Sequence, residues 1–328
     1  MLRLPKFEHI EIRTMKDLFA ALDEHDGHAK VIAGGTDLIP RIKHRVIQPN
    51  YVLNLKGMST ELNFIRSNGN KEVRIGALTS LAEIENSPVI NRDYPLLLQA
   101  VRSIGSSQIR NMGTIGGNVC LETRCYYYNQ SHQFQYMEPC YKRGGTLCYL
   151  AKGGKQCLAV YMADTAPALI SMGAKAVIRS KDDERVINLE DIYSGCSELP
   201  FTIRTNEIVT EIVLPPCAGS KGLYLKRTFR GALEFAVASL AVAMSLGSDH
   251  SIKDPRVVLG SVSSKPIRAT KTEDILKGKK ITSSVLKRVS EALAQEATVY
   301  PHHGNSAHCI KAVSLDLLRS AVSALGRS

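Results

Sequence analysis

Features that would place this chain among membrane or secreted proteins are missing. The longest apolar-looking run, Phe235 to Leu246, contains two serines and is too short to cross a bilayer. The N-terminus carries charges at Arg3, Lys6, Glu8 and Glu11 and lacks the apolar core of a secretory signal. We therefore expect a cytoplasmic protein without membrane contact, in which thiols stay reduced.

Motifs of three other functional classes are also missing. The formal charge is +11, yet the lysines and arginines are scattered and no aromatic-basic motif for DNA or RNA occurs. A basic surface that meets an acidic protein partner is the better explanation. No glycine stretch has the G-x-G-x-x-G spacing of a nicotinamide-binding turn, and no Ser-His-Asp or Cys-His set has local support. We expect neither nucleic-acid binding nor bond chemistry on a final substrate.

Cysteine, in contrast, is concentrated in one segment. Five of the eight cysteines follow the spacing C-x4-C-x14-C-x7-C-x8-C, at Cys120, Cys125, Cys140, Cys148 and Cys157. Thiolates bind zinc and iron-sulfur clusters, but this spacing lacks the C-x2-C steps of zinc ribbons and bacterial ferredoxins. Polar residues and two Gly-Gly pairs predict an irregular loop. The density of thiols favours a metal or iron-sulfur site, while regulatory disulfides and inert cysteines stay open as alternatives.

The first Gly-Gly pair in the chain lies between a predicted strand and a predicted helix. Residues 30–33 read as a short buried strand that ends at Gly34-Gly35, and Thr36-Asp37 begins a helix with Leu38, Ile42 and Val46 on one face. This arrangement directs backbone N–H groups and the positive end of a helix dipole at whatever lies over the turn. It suits a phosphate.

A second glycine-rich stretch follows a predicted helix that ends at Gly105. Residues 110–119 read RNMGTIGGNV, with three glycines among small polar side chains. Glycines let the backbone approach a ligand closely. One Gly-Gly pair is most often a tight turn, but two of them, each after regular structure and next to Thr or Asn, favour a dinucleotide site.

The remaining patterns divide the chain further. Thr14 and Asp17 predict the cap of an N-terminal helix. Residues 176–178 and 208–214 read as strands, and Pro215-Pro216 marks a boundary. Beyond it, strands at 235–246 and 257–262 and helices at 284–295 and 310–324 predict a separate α+β unit.

These residues resemble the FAD subunit of the molybdenum hydroxylases, the xanthine oxidase family. Residues 33–38, 114–118 and 164–168 are similar to the two pyrophosphate-binding loops and the following acidic residue of that family, and residues 224–227 and 234–236 resemble its segment at the flavin. The resemblance covers nearly the whole chain. It implies an α+β fold of the PCMH-like FAD-binding type. Two α/β subdomains would occupy residues 1–55 and 56–218, with the cysteine-rich insertion at about 120–160 inside the second, and a C-terminal α+β domain would occupy residues 219–328.

The resemblance also implies which residues contact FAD. They belong to the two glycine loops, to the acidic segment and to the flavin segment, and they are Ile32, Ala33, Gly34, Gly35, Thr36, Asp37, Leu38, Thr114, Gly116, Gly117, Asn118, Asp164 and Lys226.

Most members of the family run directly from the second loop to the acidic residue, whereas this chain inserts about 40 residues. The insertion resembles that of the 4-hydroxybenzoyl-CoA reductase β subunit in the run CLETRCYYYNQS, residues 120–131, and in the later cysteine intervals. This implies a [4Fe-4S] cluster held by Cys125, Cys140, Cys148 and Cys157, with Cys120 a packed thiol. A related insertion occurs in the FAD subunit of some bacterial aldehyde oxidoreductases, so the cluster does not fix the substrate.

The function implied by the resemblance is electron transfer. Electrons from ferredoxin would pass through the cluster and FAD to a small [2Fe-2S] subunit and a large molybdenum-cofactor subunit, in a dimer of heterotrimers that reductively dehydroxylates 4-hydroxybenzoyl-CoA. An aldehyde oxidoreductase of the same family is the alternative, and a cofactor-bearing scaffold without turnover is an alternative of another class. Charges in the insertion are the expected docking residues for the carrier, namely Lys142, Arg143, Lys152 and Lys155.

A few remaining candidates have weaker support. The pair His302-His303 lacks a third ligand nearby in sequence and is expected to be an exposed loop rather than a metal site. The isolated Cys196, Cys217 and Cys309 are expected to be structural.

Overall fold

The computed structural model describes residues 3–68, 72–129, 138–151, 153–216, 220–231 and 233–327. Their strands form three sheets of three, five and four strands. The mixed α/β architecture agrees with the predicted fold class. Each sheet lies within one of the three predicted sequence ranges, although the domain boundaries themselves stay a prediction.

The N-terminal sheet is parallel and has the order β1-β3-β2. Its elements are β1 (Glu8–Glu11), α1 (Met15–Glu24), β2 (Ala29–Ile32), α2 (Leu38–Lys43) and β3 (Tyr51–Asn54). The side chain of Thr14 accepts a hydrogen bond from the Asp17 amide, which confirms the predicted cap. The predicted extension of the second helix to Val46 was wrong, because α2 ends before Arg45, whose φ of 56° is left-handed.

The second sheet is antiparallel throughout, with the order β4-β5-β8-β6-β7. The elements of this unit are α3 (Ser59–Leu62), β4 (Ile65–Ser67), β5 (Val73–Gly76), α4 (Leu81–Asn86), α5 (Pro88–Asp93), α6 (Pro95–Arg102), α7 (Ser107–Met112), α8 (Ile115–Val119), α9 (Thr165–Ser171), β6 (Lys175–Arg179), β7 (Glu184–Asn188) and β8 (Ile208–Leu214). Helices α4, α6, α8 and α9 contribute to one large apolar core with the sheet. The predicted strands at 176–178 and 208–214 are confirmed.

The C-terminal sheet is antiparallel, with the order β12-β11-β10-β9. Its unit contains β9 (Lys221–Arg227), β10 (Ala238–Leu246), β11 (Ile252–Gly260), β12 (Ile267–Arg268), α10 (Thr270–Leu276), α11 (Ser283–Glu296) and α12 (Ala307–Arg327). The apolar faces of β10, β11, α11 and α12 pack into a second core. Both predicted helices are present, whereas the strand predicted from Phe235 begins three residues later.

The cysteine segment between α8 and α9 is irregular, as expected. Its described part holds turns, the short 3-10 helix Tyr141–Arg143 and isolated bridges, but neither an α-helix nor an extended strand. Arg124 and Val160 form an antiparallel bridge that closes the base of the segment. In the part of the chain that the structure describes, no helix combines the length and apolar character that a bilayer span requires.

Candidate cofactor sites

The first glycine loop leaves consecutive backbone donors free. It runs from the end of β2 to the start of α2, and its residues are half-buried. The amides of Gly34, Gly35, Thr36 and Asp37 have no acceptor among the described residues. Gly35 has a φ of 72°, which glycine adopts without strain. Successive N–H groups in such a turn form a concave site for an anion.

The second glycine loop is internally satisfied but open on one side. The Thr114 side chain accepts a hydrogen bond from the Gly117 amide at 3.1 Å and caps α8. A Cβ on Gly116 would lie 2.7 Å from that of Ala77. Gly117 is exposed, and a Cβ there would meet only Thr114 Oγ1 within 4 Å. Gly116 is therefore needed for packing, whereas Gly117 borders open space.

The two glycine loops contact each other. A Cβ on Gly34 would overlap the carbonyl oxygen of Met112, just before the second loop. Gly113 lies beside the Thr36 hydroxyl, because a Cβ on Gly113 would be 3.6 Å from that oxygen. The absence of side chains at Gly34 and Gly113 lets the two loops approach each other closely.

The acidic and flavin segments meet in a buried polar cluster. Lys226 Nζ lies 2.8 Å from Asp164 Oδ2 and also donates to the Ser103 carbonyl, while the Tyr224 hydroxyl donates to Asp164 Oδ1 at 2.6 Å. Burial raises the pKa of Asp164, and the Lys226 ammonium opposes that rise. Nearby, Asn118 Oδ1 accepts a hydrogen bond from the Thr165 hydroxyl at 2.6 Å. Asp164 and Lys226 thus bind each other, and their direct contact with a cofactor stays a prediction.

Four cysteines of the irregular segment converge on one pocket. Cys125, Cys140, Cys148 and Cys157 all line it, together with Tyr127, Tyr128, Tyr141, Leu147, Tyr149, Leu158 and Ala159. Burial raises the pKa of Cys125 and, to about 12, that of Cys157. Such thiols stay neutral unless a cation binds them, and metal coordination deprotonates a thiol outright.

Cys120 does not belong to this pocket. It packs against the core of the second unit, where burial raises its pKa to about 12. The structure thus separates the one cysteine that was expected to be a packed thiol from the four expected ligands. Within the described ranges, no group of three or more His, Cys, Asp or Glu side chains could hold a single metal ion. A four-iron cluster differs, because each thiolate binds a different iron.

Two of the predicted docking charges face inward instead. Lys142 Nζ donates to the Thr123 hydroxyl and to the Ser197 carbonyl at 2.5 and 2.8 Å, and its side chain is 3% exposed. Arg143 donates to the Tyr128 carbonyl. The docking role was therefore wrong for Lys142, which stabilises the segment from inside. Lys155 is exposed, and Lys152 lies outside the described residues.

The remaining candidates are distributed over other parts of the fold. His302 is 2% exposed, so the expectation of an exposed loop was wrong for this histidine. Burial lowers its pKa to about 4. Cys309 is exposed and Cys196 donates to Glu198 at the surface, while Cys217 lies outside the described ranges.

Comparison with known protein families shows to which family this chain belongs. Residues 5–217 match the family described as the FAD binding domain in molybdopterin dehydrogenase, and residues 224–323 match the CO dehydrogenase flavoprotein C-terminal domain. The chain is an FAD-binding medium subunit of the molybdenum hydroxylase family. The free amides of the first loop and the open space at Gly117 fit the pyrophosphate of FAD in this subunit.

Individual relatives of this FAD-binding subunit act in different oxidations. It is 29% identical to the glyceraldehyde dehydrogenase medium chain of Sulfolobus acidocaldarius, over 92% of each chain. It is also 29% identical to the aldehyde oxidoreductase FAD-binding subunit of Escherichia coli, over 73% of this chain and 76% of the relative. A chain of carbon monoxide dehydrogenase from Hydrogenophaga pseudoflava superimposes with a TM-score of 0.80 at 25% identity, over 98% of both chains.

Several site residues escaped the sequence analysis. Glu122, Arg124 and Arg41 form buried or half-buried ion pairs between the first glycine loop and the cysteine segment. The hydroxyls of Tyr161 and Tyr193 lie 3.0 Å apart, and each also lies within hydrogen-bond distance of the Val119 carbonyl oxygen behind the second loop, so one hydroxyl donates to that carbonyl and the other donates to the carbonyl or to its neighbour. Glu122 and Arg124 could have been found from the sequence, because they are charged residues inside the CLETRC run. No local pattern indicates the tyrosine pair, because its members lie 32 residues apart.

Proposed function

We propose that this FAD-binding subunit also carries a [4Fe-4S] cluster and transfers electrons between an external carrier and a molybdenum-containing partner. The observation that carries the proposal is the convergence of Cys125, Cys140, Cys148 and Cys157 on one pocket, from which Cys120 is excluded. Cys₄ ligation is typical of four-iron clusters. The names of the relatives do not mention such a cluster, so the proposal rests on this chain's own insertion.

The residues proposed to hold FAD are those of the two loops. The four free amides from Gly34 to Asp37 would donate to the pyrophosphate, and Gly117 leaves room for close approach of the second loop. FAD exchanges one or two electrons and an iron-sulfur cluster exchanges one, so the two groups together connect a one-electron carrier to two-electron chemistry. The chain's own contribution is to bind, orient and shield them.

Anaerobic purification tests the cluster. We expect about four irons and matching acid-labile sulfide per chain, and an electron paramagnetic resonance signal after reduction by dithionite. Serine at any of the four pocket cysteines should lower the iron content. Cys120→Ser is the matched control and should retain it. Stoichiometric zinc, or equal iron loss from the Cys120 variant, would contradict the proposal.

We further propose that the partner complex oxidises aldehydes. Two of the relatives are named as subunits of aldehyde-oxidising enzymes, at 29% identity each. A 4-hydroxybenzoyl-CoA reductase is the second candidate and is favoured by the CLETRCYYYNQS run alone. Aldehyde-dependent reduction of a viologen dye by the purified complex would support the first. Consumption of reduced viologen with 4-hydroxybenzoyl-CoA would support the second instead.

The proposed assembly contains a large molybdenum-cofactor subunit and a small [2Fe-2S] subunit, as a dimer of heterotrimers, with ferredoxin as the carrier. Many relatives are named medium chains or medium subunits, which supports partners of larger and smaller size. Co-purification and mass measurement test this assembly. A cofactor-bearing scaffold without turnover would be indicated by a bound flavin that neither dithionite nor ferredoxin reduces.

A further inference from the structure

Arg124 lies where the cysteine segment leaves the FAD fold. Its amide donates to the Val160 carbonyl at 2.6 Å, and its own carbonyl accepts from the Val160 amide at 2.8 Å. Cys125, one of the four pocket cysteines, follows directly in sequence. The backbone of Arg124 is therefore fixed by the base of the insertion and by the pocket.

The side chain of Arg124 reaches away from the pocket to the first glycine loop. Its guanidinium forms an ion pair with Asp37 Oδ1, and its side chain is only 18% exposed. The guanidinium also lies over the Phe235 ring, 4.8 Å from the centroid. The Arg124 guanidinium thus joins the cysteine segment to the first glycine loop, through Asp37, and to the segment around Phe235.

A second link runs parallel to the first. Arg41, on α2 after the same loop, lies 3.7 Å from Asp37 Oδ2 and 2.7 Å from Glu122 Oε2. It also donates to the hydroxyl of Tyr128, whose ring lines the cysteine pocket. The glycine loop is thus connected to the insertion at two points, and both involve the residues around Cys125.

The negative charge of Asp37 is unfavourable for binding an anion at the first glycine loop. Its own amide is one of the four free donors of the first loop, so a pyrophosphate bound by those amides would lie next to this residue and within range of its carboxylate charge. Two negative groups at short range repel each other strongly unless a cation lies between or beside them. Arg124 neutralises Asp37 from the side of the insertion.

We infer that Arg124 is a positioning residue for the flavin: it neutralises Asp37 in the pyrophosphate loop and thereby makes flavin affinity depend on the cysteine insertion. The inference deepens the proposed function, on which its link to the cluster rests. It assigns the insertion a role in FAD binding, in addition to the cluster that its cysteines would hold.

The test measures FAD dissociation constants for the full chain, purified anaerobically, with iron content determined in parallel. Arg124→Gln should weaken FAD binding by about tenfold. Arg41 remains 3.7 Å from Asp37 Oδ2 in this variant, but it also pairs with Glu122 and therefore compensates the Asp37 carboxylate only in part. Arg124→Lys should weaken FAD binding less. Adding Asp37→Asn to Arg124→Gln should restore affinity to near the wild-type value, which loss of a merely structural contact would not allow.

Two further measurements keep the test independent of folding and of the cluster. Asp37→Asn alone, which keeps the backbone amide of residue 37 and removes its negative charge, should bind FAD more tightly than the wild type. Cys125→Ser should weaken FAD binding in the wild-type background and less so in the Asp37→Asn background. Unchanged affinity of Arg124→Gln, or failure of Asp37→Asn to restore it, would overturn the inference. If the protein contains no iron but the Arg124→Gln, Asp37→Asn double variant regains FAD affinity, the result contradicts the proposed cluster and supports the role of Arg124 in FAD binding.

Discussion

Gly34 lies directly against the carbonyl oxygen of Met112, so at this point the two glycine loops are in backbone contact. The adjacent Gly117 has no such neighbour, because a Cβ there would meet only Thr114 Oγ1 at 3.0 Å. The φ of Gly117 also lies outside the left-handed region, so its backbone conformation does not require glycine. Gly34 therefore permits the close packing of the loops, whereas at Gly117 the absence of a side chain leaves open space.

This difference predicts contrasting behaviour of two variants, Gly34→Ala and Gly117→Val. Gly34→Ala should force the loops apart and lower the melting temperature even without flavin. Gly117→Val should leave the melting temperature of the flavin-free protein nearly unchanged but strongly reduce FAD occupancy, because its side chain fills the open space beside the loop. Thermal melting and flavin absorbance measure the two effects. Full flavin occupancy in the Gly117 variant would remove that residue from the proposed site.

Burial of Lys142 leads to a prediction about reduction potential. Its side chain is 3% exposed, and Cys157 lies within electrostatic range of its ammonium group. A fixed positive charge favours the more negative, reduced form of a cluster. Lys142→Met should therefore lower the midpoint potential of the proposed cluster, as measured by redox titration with paramagnetic resonance. Lys155→Met, at an exposed site in the same insertion, should leave the potential nearly unchanged; equal potentials in both variants would contradict the prediction.

The Asp164–Lys226 pair predicts a large stability effect. Both side chains are at least nine-tenths buried, so Lys226→Met leaves an uncompensated carboxylate in the interior. Such a loss costs about 3–5 kcal/mol, and adding Asp164→Asn should recover much of it. The exposed pair Arg227–Asp316, 3.1 Å apart, is the matched control. Arg227→Met should cost at most about 1 kcal/mol. Thermal melting of the three variants, compared with the wild type, checks the order of these losses in stability.

Buried His302 predicts a pH dependence with a definite sign. Burial lowers its pKa from 6.5 to about 4, so the unfolded chain binds a proton that the folded chain does not. Its contribution is complete above pH 6.5 and declines as the pH falls toward 4, by about 3 kcal/mol in total. His302→Asn should therefore flatten the fall in melting temperature over this range. The exposed His308→Gln should not, and parallel profiles for both variants would refute the assignment.

Local rules predicted much of the regular structure. The Thr14 cap and the strand from Ile208 to Leu214 depend on neighbouring residues and apolar periodicity, and both are present. The pairing of that strand with Val73–Gly76 joins residues more than a hundred positions apart, which no local pattern encodes. Sequence likewise located the cysteines without placing them in one pocket. The Asp37–Arg124 ion pair and the inward direction of Lys142 depend on the folded chain.

The bridge between Arg124 and Val160 has a consequence for how this subunit could arise and be altered. Two backbone hydrogen bonds between Arg124 and Val160 join the two ends of the insertion. The chain therefore leaves and re-enters the FAD-binding fold at adjacent positions. Such a closed junction lets a segment be gained or lost as a unit, since lengthening a loop whose ends are already adjacent costs little entropy. We therefore expect that the insertion could be exchanged as a unit, so that a homologue without it would receive both the thiols and the Arg124 contact together.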